Sequence, residues 1–124
     1  MREPGGAAAA WIAAVTEEKV ELRVPDFVYL EVANELLGYV RVDLMTGEEA
    51  TSELEYVFDV PAQRVSADRL AAQSLALGTV RRLSAYDAAY LALALGTESI
   101  LVTADRRLAA EAEQSALLPE QGPP

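Results

Sequence analysis

Apolar and polar residues along the 124-residue chain follow two spacings. Apolar positions that recur every three or four residues indicate amphipathic helices, whereas alternation or a short continuous apolar run indicates a strand. On this basis the predicted helices span residues 7–18, 27–40, 46–57, 67–77, 84–95 and 105–113. The predicted strands span residues 20–24, 61–66 and 99–103. Strands separated by helices favour the α/β class, with a mostly parallel sheet covered on both faces.

Turn and capping residues set the expected ends of these elements. Asp26 follows the first strand and is the expected N-cap of the second helix. Gly78 and Gly96 each stand where the residue after a helix C-terminus is commonly glycine. Residues 4–6 are a turn signal, and the Pro- and Gly-containing end of the chain predicts a disordered tail. We therefore expect one domain over residues 1–118 and a tail over 119–124.

The composition restricts the chemistry that the chain can perform. It contains no Cys and no His, which excludes disulfides, thiolate nucleophiles, Cys/His zinc sites and imidazole bases. A formal net charge of −10 disfavours binding of nucleic acid through a broad basic surface. The same charge fits a basic partner or a site that concentrates divalent cations, and it also fits a role in solubility alone. The chain has neither a long uncharged apolar run nor a secretory signal pattern, which predicts a soluble, cytoplasmic protein.

Three acidic positions are candidates for chemistry, and each has a structural alternative. Glu31 shares one face of the second helix with Asn34 and Glu35, at i, i+3 and i+4, and this polar stripe could simply be solvated. Asp87 stands three residues after Ser84, a spacing that also fits a capping box.

Asp105 is the third acidic candidate, and it follows the predicted 99–103 strand. From the local pattern, capping of the next helix is the favoured interpretation of Asp105, and Thr103 is another capping candidate there. The carboxyl ends of strands in parallel sheets are nevertheless where function gathers. Local patterns alone leave both interpretations open for each of the three acidic residues.

Three stretches, taken together and in order, resemble a known family. They are Val-Pro-Asp-Phe at 24–27 with Leu-Glu-Val-Ala-Asn-Glu-Leu at 30–36, Leu-Ser-Ala-Tyr-Asp-Ala-Ala-Tyr-Leu-Ala-Leu-Ala at 83–94, and Leu-Val-Thr-Ala-Asp-Arg-Arg-Leu at 101–108. Their order and spacing resemble PIN-domain ribonucleases, and most closely the VapC-type toxins of bacterial toxin–antitoxin pairs. The resemblance implies a three-layer α/β/α fold and hydrolysis of RNA at a cluster of acids that holds Mg²⁺ or Mn²⁺.

The resemblance also implies roles for particular residues. Glu31, Asp87 and Asp105 occupy the positions of the catalytic, metal-binding acids, and Asn34 and Thr103 would support them. We therefore expect these three carboxyl groups to converge within reach of one small cation. Hard carboxylate oxygens suit Mg²⁺, which can orient a phosphate and activate a bound water. The resemblance further implies an RNA substrate, a cognate antitoxin protein and a homodimer.

The start of the chain departs from the family pattern. Family members begin with a central apolar strand that carries the first metal-binding Asp, whereas residues 1–5 correspond to the loop after that strand. Loss of a central strand would leave buried backbone groups unpaired, at about 1–3 kcal/mol each. Two explanations compete: the chain starts downstream of the true start, which we favour, or it is a genuine product that has lost activity. Either way we expect little or no RNA cleavage by residues 1–124 alone.

Two other functions remain as alternatives to a ribonuclease toxin. One is a catalytically inactive PIN-like module that only binds an antitoxin or dimerises, and the missing Asp favours it. The other is a receiver-like phosphate acceptor. The receiver interpretation is disfavoured because no Lys follows the strand before Asp105, and Lys19 is the single lysine of the chain.

Overall fold

A computed structural model describes residues 6–124, so most of the turn expected at residues 4–6 lies outside the described residues. This described part contains six helices and four strands. The helices are α1 (Gly6–Thr16), α2 (Val28–Arg41), α3 (Gly47–Asp59), α4 (Ala67–Arg81), α5 (Ala85–Gly96) and α6 (Arg106–Glu111). The strands are β1 (Arg23–Pro25), β2 (Gln63–Val65), β3 (Leu101–Thr103) and β4 (Ser115–Leu117). The α/β class expected from the sequence is confirmed.

The strands form two parallel pairs. β1 lies beside β2, with Val24 opposite Arg64, and β3 lies beside β4, with Val102 opposite Ala116. Each pair is a separate two-stranded sheet. The expected parallel direction is confirmed, and β4 was not expected from the sequence. The 99–103 segment is less buried than its apolar run suggested, because only Leu101 among the three strand residues is fully buried.

Helix α5 lies at the centre of the core. Its small side chains let the neighbouring helix α4 and strands β1 and β3 approach closely. Leu91 is completely buried and packs with Leu101 and Leu108. The buried residues of the helix are Ala88, Ala89, Leu91, Ala92, Leu93 and Ala94.

The expected end of α4 at Gly78 is wrong. The helix continues to Arg81, and Arg82 forms the left-handed C-cap with φ 57°. Glycine is needed at position 78 for a different reason: a Cβ there would lie 2.9 Å from the Leu83 carbonyl oxygen. The Leu83 N–H donates to the Gly78 carbonyl at 3.2 Å, so the chain folds back closely over this residue. The expected end of α5 before Gly96 is off by one residue, because Gly96 is the last residue of the helix.

The expected capping of α2 by Asp26 is also wrong. Phe27 occupies the N-cap position and makes no side-chain cap. The Asp26 N–H still belongs to the β1–β2 ladder, donating to the Val65 carbonyl at 2.8 Å. Its carboxylate Oδ1 accepts from the Ala67 N–H at 3.1 Å, so Asp26 stabilises the start of α4 instead.

The segment 119–124, for which the sequence predicts disorder, makes specific contacts. The Trp11 indole N–H donates to the Gln121 carbonyl at 2.9 Å, and the Leu117 N–H donates to Gln121 Oε1 at 2.6 Å. These bonds link the end of the chain to α1 and β4. Within residues 6–124, no helix combines the length and the apolar character needed to cross a bilayer.

Candidate functional site

The first turns of α2 and α5 meet through aromatic packing. The Phe27 ring makes edge-to-face contacts with Tyr86 and Tyr90, with ring centroids 5.2 and 5.7 Å apart. Such contacts stabilise by about 0.5–1.5 kcal/mol beyond the area that they bury. The Glu31 N–H donates to the Phe27 carbonyl at 3.1 Å, which places Glu31 one helical turn further along α2. Phe27 therefore positions the part of α2 that carries Glu31 against α5.

Glu31 and Asp87 both act on the hydroxyl of Tyr90. The Tyr90 hydroxyl donates to Glu31 Oε1 at 2.5 Å, and Asp87 lies one turn before Tyr90 on the same face of α5. Burial raises the pKa of Tyr90, and the hydrogen bond to Glu31 and the negative charges of Glu31 and Asp87 raise it further. The structure thus brings Glu31 to the Tyr90 hydroxyl and places Asp87 one helical turn before Tyr90 on α5.

The backbone of Asp87, rather than its side chain, takes part in capping α5. Ser84 is the N-cap, and its Oγ accepts from the Asp87 N–H at 3.1 Å. Among the bonds of the described residues, none runs from the Ser84 N–H to the Asp87 carboxylate, so the reciprocal half of a capping box is missing. The capping alternative therefore accounts for Ser84 and leaves the half-buried carboxylate of Asp87 for another role.

Asp105 is the N-cap of α6, as the capping interpretation predicted. Its Oδ1 accepts from the N–H groups of Arg107 and Leu108, at 2.9 and 3.2 Å. Thr103 Oγ1 accepts from the Asp105 N–H at 3.1 Å, so the residue at the end of β3 also fixes the Asp105 backbone. Both cap bonds use a single carboxylate oxygen.

Within residues 6–124, no three acidic side chains form a group ready to hold a metal ion, so Asp105 does not form such a group with Glu31 and Asp87. A site shared by all three remains a prediction. The donor chemistry of the Glu31–Asp87 pair fits Mg²⁺, which commonly binds one or two carboxylates and keeps several waters. Asn34 is exposed on α2. Glu35, the other acid of that face, accepts from the Tyr39 hydroxyl at 2.9 Å.

Sequence reasoning missed Tyr90 and Phe27 as parts of this site. Tyr90 stands three residues after Asp87, which places both on one helix face. That spacing could have indicated that Tyr90 belongs to the site. An aromatic residue in an apolar helix is, however, most simply interpreted as a core residue. Phe27 carries no polar group, so only the packing of α2 on α5 reveals its role.

Comparison with known proteins decides the family. The chain matches the PIN domain family over residues 2–113. The chain belongs to the PIN-domain family. It is 36% identical to Ribonuclease VapC3 of Pyrobaculum aerophilum over 91 residues, covering 72% of this chain and 70% of that protein. The crystal structure of PAE2754 from Pyrobaculum aerophilum superposes with a TM-score of 0.70 at 24% identity, covering 89% of this chain and 78% of that one, which shows a common fold.

The recognition of a VapC-type PIN domain from the three sequence stretches is confirmed. Glu31, Asp87 and Asp105 all lie inside the matched range, so the family membership applies to the part of the chain that carries them. In this PIN domain, the contact between α2 and α5 is what places Glu31 against Tyr90.

Proposed function

We propose that this PIN domain is the ribonuclease toxin of a type II toxin–antitoxin pair and hydrolyses RNA phosphodiester bonds with Mg²⁺ or Mn²⁺. The relative named Ribonuclease VapC3 supports the substrate class. The observation that supports the site is the hydrogen bond from the Tyr90 hydroxyl to Glu31, with Asp87 one helical turn before Tyr90 on α5. The negative charges of Glu31 and Asp87 both raise the pKa of Tyr90, and a divalent cation would neutralise this local charge.

Glu31 and Asp87 would hold the ion, and Asp105 is the third proposed ligand. When bound, a divalent ion of this kind polarises the phosphate and lowers the pKa of a bound water. The protein's part is to fix the carboxylates: Tyr90 holds Glu31, and Thr103 holds the backbone of Asp105. Asn34 is proposed to support Glu31 from the next turn of α2.

Tyr90 acts in this proposal as a positioning residue. Its hydroxyl is protonated at neutral pH, as for any tyrosine, and the raised pKa keeps it a hydrogen-bond donor to alkaline pH as well. A donor at this place orients one oxygen of Glu31 and leaves the other oxygen for an ion or a water. The net charge of −10 also means that an RNA phosphate would be repelled without a cation.

We further propose a cognate antitoxin with a basic segment as the protein partner, together with a homodimer in the cytoplasm. Arg side chains bind carboxylates through two parallel hydrogen bonds, so a basic segment of that kind could occupy the acidic site and block it. The net charge of −10 would also speed the association with a basic partner.

A second candidate is an inactive PIN-like module that only binds an antitoxin or dimerises. The specific observation that favours it is the absence of a three-acid group within residues 6–124. Metal binding separates the two candidates, because we expect little or no RNA cleavage by residues 1–124 alone.

The test combines a Mn²⁺ titration by calorimetry with cleavage of a fluorescent single-stranded RNA in Mg²⁺, Mn²⁺ or EDTA. We expect one Mn²⁺ per chain and an affinity at least about tenfold lower in Glu31→Gln and Asp87→Asn. Glu55→Gln, at an exposed acid of α3, is the matched control and should bind as the unchanged protein does. Metal binding or cleavage that survives both site substitutions would overturn the assignment. A chain that binds an antitoxin but neither metal nor RNA would be the inactive module.

A further inference from the structure

Tyr86 is the most exposed of the five tyrosines, and it lies in the first turn of α5, directly before Asp87. The residue keeps 60% of its surface accessible. An exposed aromatic residue is ordinary on a protein surface, so exposure alone assigns no role to it. The packing of the ring, the state of its hydroxyl and the cations beside α5 distinguish Tyr86 from the other tyrosines.

The Tyr86 ring is held from one side by Phe27. The two rings make an edge-to-face contact with centroids 5.2 Å apart and an interplanar angle of 87°. Phe27 packs against Tyr90 in the same geometry, so it is itself fixed between two residues of α5. A ring that already packs against a neighbour loses little conformational freedom when a ligand stacks on it. Tyr86 therefore offers an exposed aromatic surface whose orientation is set in advance.

The hydroxyl of Tyr86 does not hold the fold together. The hydroxyls of Tyr29, Tyr39 and Tyr90 each bond a charged side chain. Among residues 6–124, the Tyr86 hydroxyl has no hydrogen-bond partner. The ring, rather than the hydroxyl, is therefore the feature of Tyr86 that a ligand can use.

The turn that leads into α5 carries two arginines that are free of ion pairs. A terminal guanidinium nitrogen of Arg107 donates to the Arg82 carbonyl at 2.8 Å, which brings the start of α6 to this turn. Arg82 stands two residues before Ser84, the N-cap of α5. Within residues 6–124, neither Arg82 nor Arg107 pairs with an acid, whereas their chain neighbours Arg81 and Arg106 do. Cations thus remain available beside α5 in a chain with a net charge of −10.

This combination of ring and cation suits single-stranded nucleic acid. An acidic chain lacks the broad basic surface that holds RNA by phosphate contacts alone. Stacking of a base on an aromatic ring needs no charge, and loss of such a ring typically weakens binding by about fivefold or more. A guanidinium binds phosphate oxygens through parallel hydrogen bonds, and Arg107 uses only one of its nitrogens within the described residues.

We propose that the start of α5 is a nucleotide-binding subsite for single-stranded RNA. One base stacks on Tyr86, and an adjacent phosphate binds Arg107 and Arg82. The inference rests on the proposed function, because Asp87, a proposed metal ligand, directly follows Tyr86. Since every base has an aromatic face, this subsite selects unpaired RNA over duplex RNA rather than one sequence over another.

Fluorescence anisotropy of a short labelled single-stranded RNA of alternating A and C tests the ring. Tyr86→Phe keeps the ring and should bind as the unchanged protein does, because the hydroxyl has no partner among residues 6–124. Tyr86→Leu keeps apolar bulk without an aromatic face and should bind at least about fivefold more weakly. Tyr39→Leu, at an exposed tyrosine of α2, is the matched control and should have no effect. Equal affinities of Tyr86→Leu and Tyr86→Phe, or no saturable binding by the unchanged protein, would overturn the proposal.

A strand of the same length without any bases gives a test that does not depend on the folding of a variant. It keeps every phosphate and loses all stacking, so the unchanged protein should bind it at least about fivefold more weakly than the normal RNA. Tyr86→Leu should not weaken binding of the abasic strand further, because the two changes remove the same contact. An equal loss for Tyr86→Leu on both strands would show that the ring does not contact a base.

The salt dependence of binding tests the phosphate contact. Arg107→Gln removes a charge, whereas Arg107→Lys keeps it. We expect Arg107→Gln to reduce the slope of log affinity against log salt concentration by about 0.7, and Arg107→Lys to leave the slope unchanged. Arg41→Gln, at an exposed arginine in the last turn of α2, is the control and should also leave it unchanged. An unchanged slope in Arg107→Gln would contradict a phosphate at this arginine.

Titration with Mn²⁺ separates failure of the subsite from failure of the proposed function. Tyr86→Leu should bind Mn²⁺ as the unchanged protein does, and its loss of RNA affinity should persist in EDTA, because stacking needs no metal. Normal Mn²⁺ binding with an RNA affinity that does not depend on Tyr86 would overturn the subsite alone. Light scattering identifies the alternative occupant: a dimer that Tyr86→Leu dissociates would show that a second copy covers the ring, and it would overturn the assignment to RNA.

Discussion

The Tyr90 hydroxyl donates a 2.5 Å hydrogen bond to Oε1 of Glu31, which joins two residues 59 positions apart in the sequence. The bond connects α5 to α2 beside Asp87, whose charge also raises the pKa of Tyr90. A tyrosine thus sets the position of a carboxylate that the proposed function places at the metal ion. The consequences of this bond for stability and for metal binding can be tested separately.

Tyr90→Phe removes the hydroxyl and leaves the ring that packs on Phe27. We expect a loss of about 1 kcal/mol or less in the free energy of unfolding, since a typical hydrogen bond contributes about 1 kcal/mol and Glu31 is exposed. We also expect weaker Mn²⁺ binding, because Glu31 is no longer held in position. Urea unfolding and calorimetric titration are the measurements. Tyr39→Phe is the control, since it removes an analogous bond to Glu35 on the exposed part of α2 and should leave Mn²⁺ binding unchanged.

The raised pKa of Tyr90 predicts that the free energy of unfolding falls at alkaline pH. The unfolded chain releases the Tyr90 proton near the ordinary value of 10.0, whereas the folded protein retains it to higher pH. The stabilisation is therefore fully present below pH 10 and is lost progressively as the pH rises above it. Unfolding free energies measured from pH 8 to pH 11 should fall more steeply for the unchanged protein than for Tyr90→Phe. Parallel curves would show that the environment of Tyr90 does not favour its protonated form.

Gly78 and Gly38 should respond in opposite directions to the same substitution. Glycine to alanine inside a helix ordinarily stabilises by about 0.5–1 kcal/mol, and we expect this for Gly38→Ala because nothing lies within 4 Å of the new Cβ. Gly78→Ala should instead destabilise, since its Cβ would lie 2.9 Å from the Leu83 carbonyl oxygen. Thermal or urea unfolding measures the change in stability of each variant and its direction. A stabilised Gly78→Ala protein would show that the turn after α4 can relax away from the helix.

The elements of this fold could be predicted where their cause is local. Apolar spacing located all six helices of the described part, because that spacing is a property of each helix alone. The end of α4 and the partner of Asp26 depend on contacts with Leu83 and Ala67, which the sequence pattern does not contain. Strand β4 was missed because Ser115–Leu117 offers only three residues of signal.

In the candidate site, too, local features could be predicted from the sequence and long-range contacts could not. Glu31, Asp87 and Asp105 could be named because the three stretches that contain them resemble a family. The contact of Glu31 with Tyr90 could not be predicted, because it depends on how Phe27 docks α2 on α5. Capping by Asp105 was predictable because it involves neighbours within three residues.

Asp105 offers a substitution pair that separates helix capping from metal binding. Asn caps a helix about as well as Asp, whereas Ala forfeits the cap and costs about 0.5–2 kcal/mol. We therefore expect Asp105→Asn to leave the free energy of unfolding nearly unchanged and Asp105→Ala to lower it, because the bonds to the N–H groups of Arg107 and Leu108 are lost.

Metal affinity should respond to the charge of Asp105 rather than to the cap. If Asp105 is the third ligand, Asn and Ala at this position should weaken Mn²⁺ binding to a similar extent, because both remove the negative charge that the ion requires. Calorimetric titration of both variants at one pH and salt concentration measures this directly. Unchanged Mn²⁺ affinity in Asp105→Asn would restrict Asp105 to capping α6, and the ion would then be held by Glu31 and Asp87 alone.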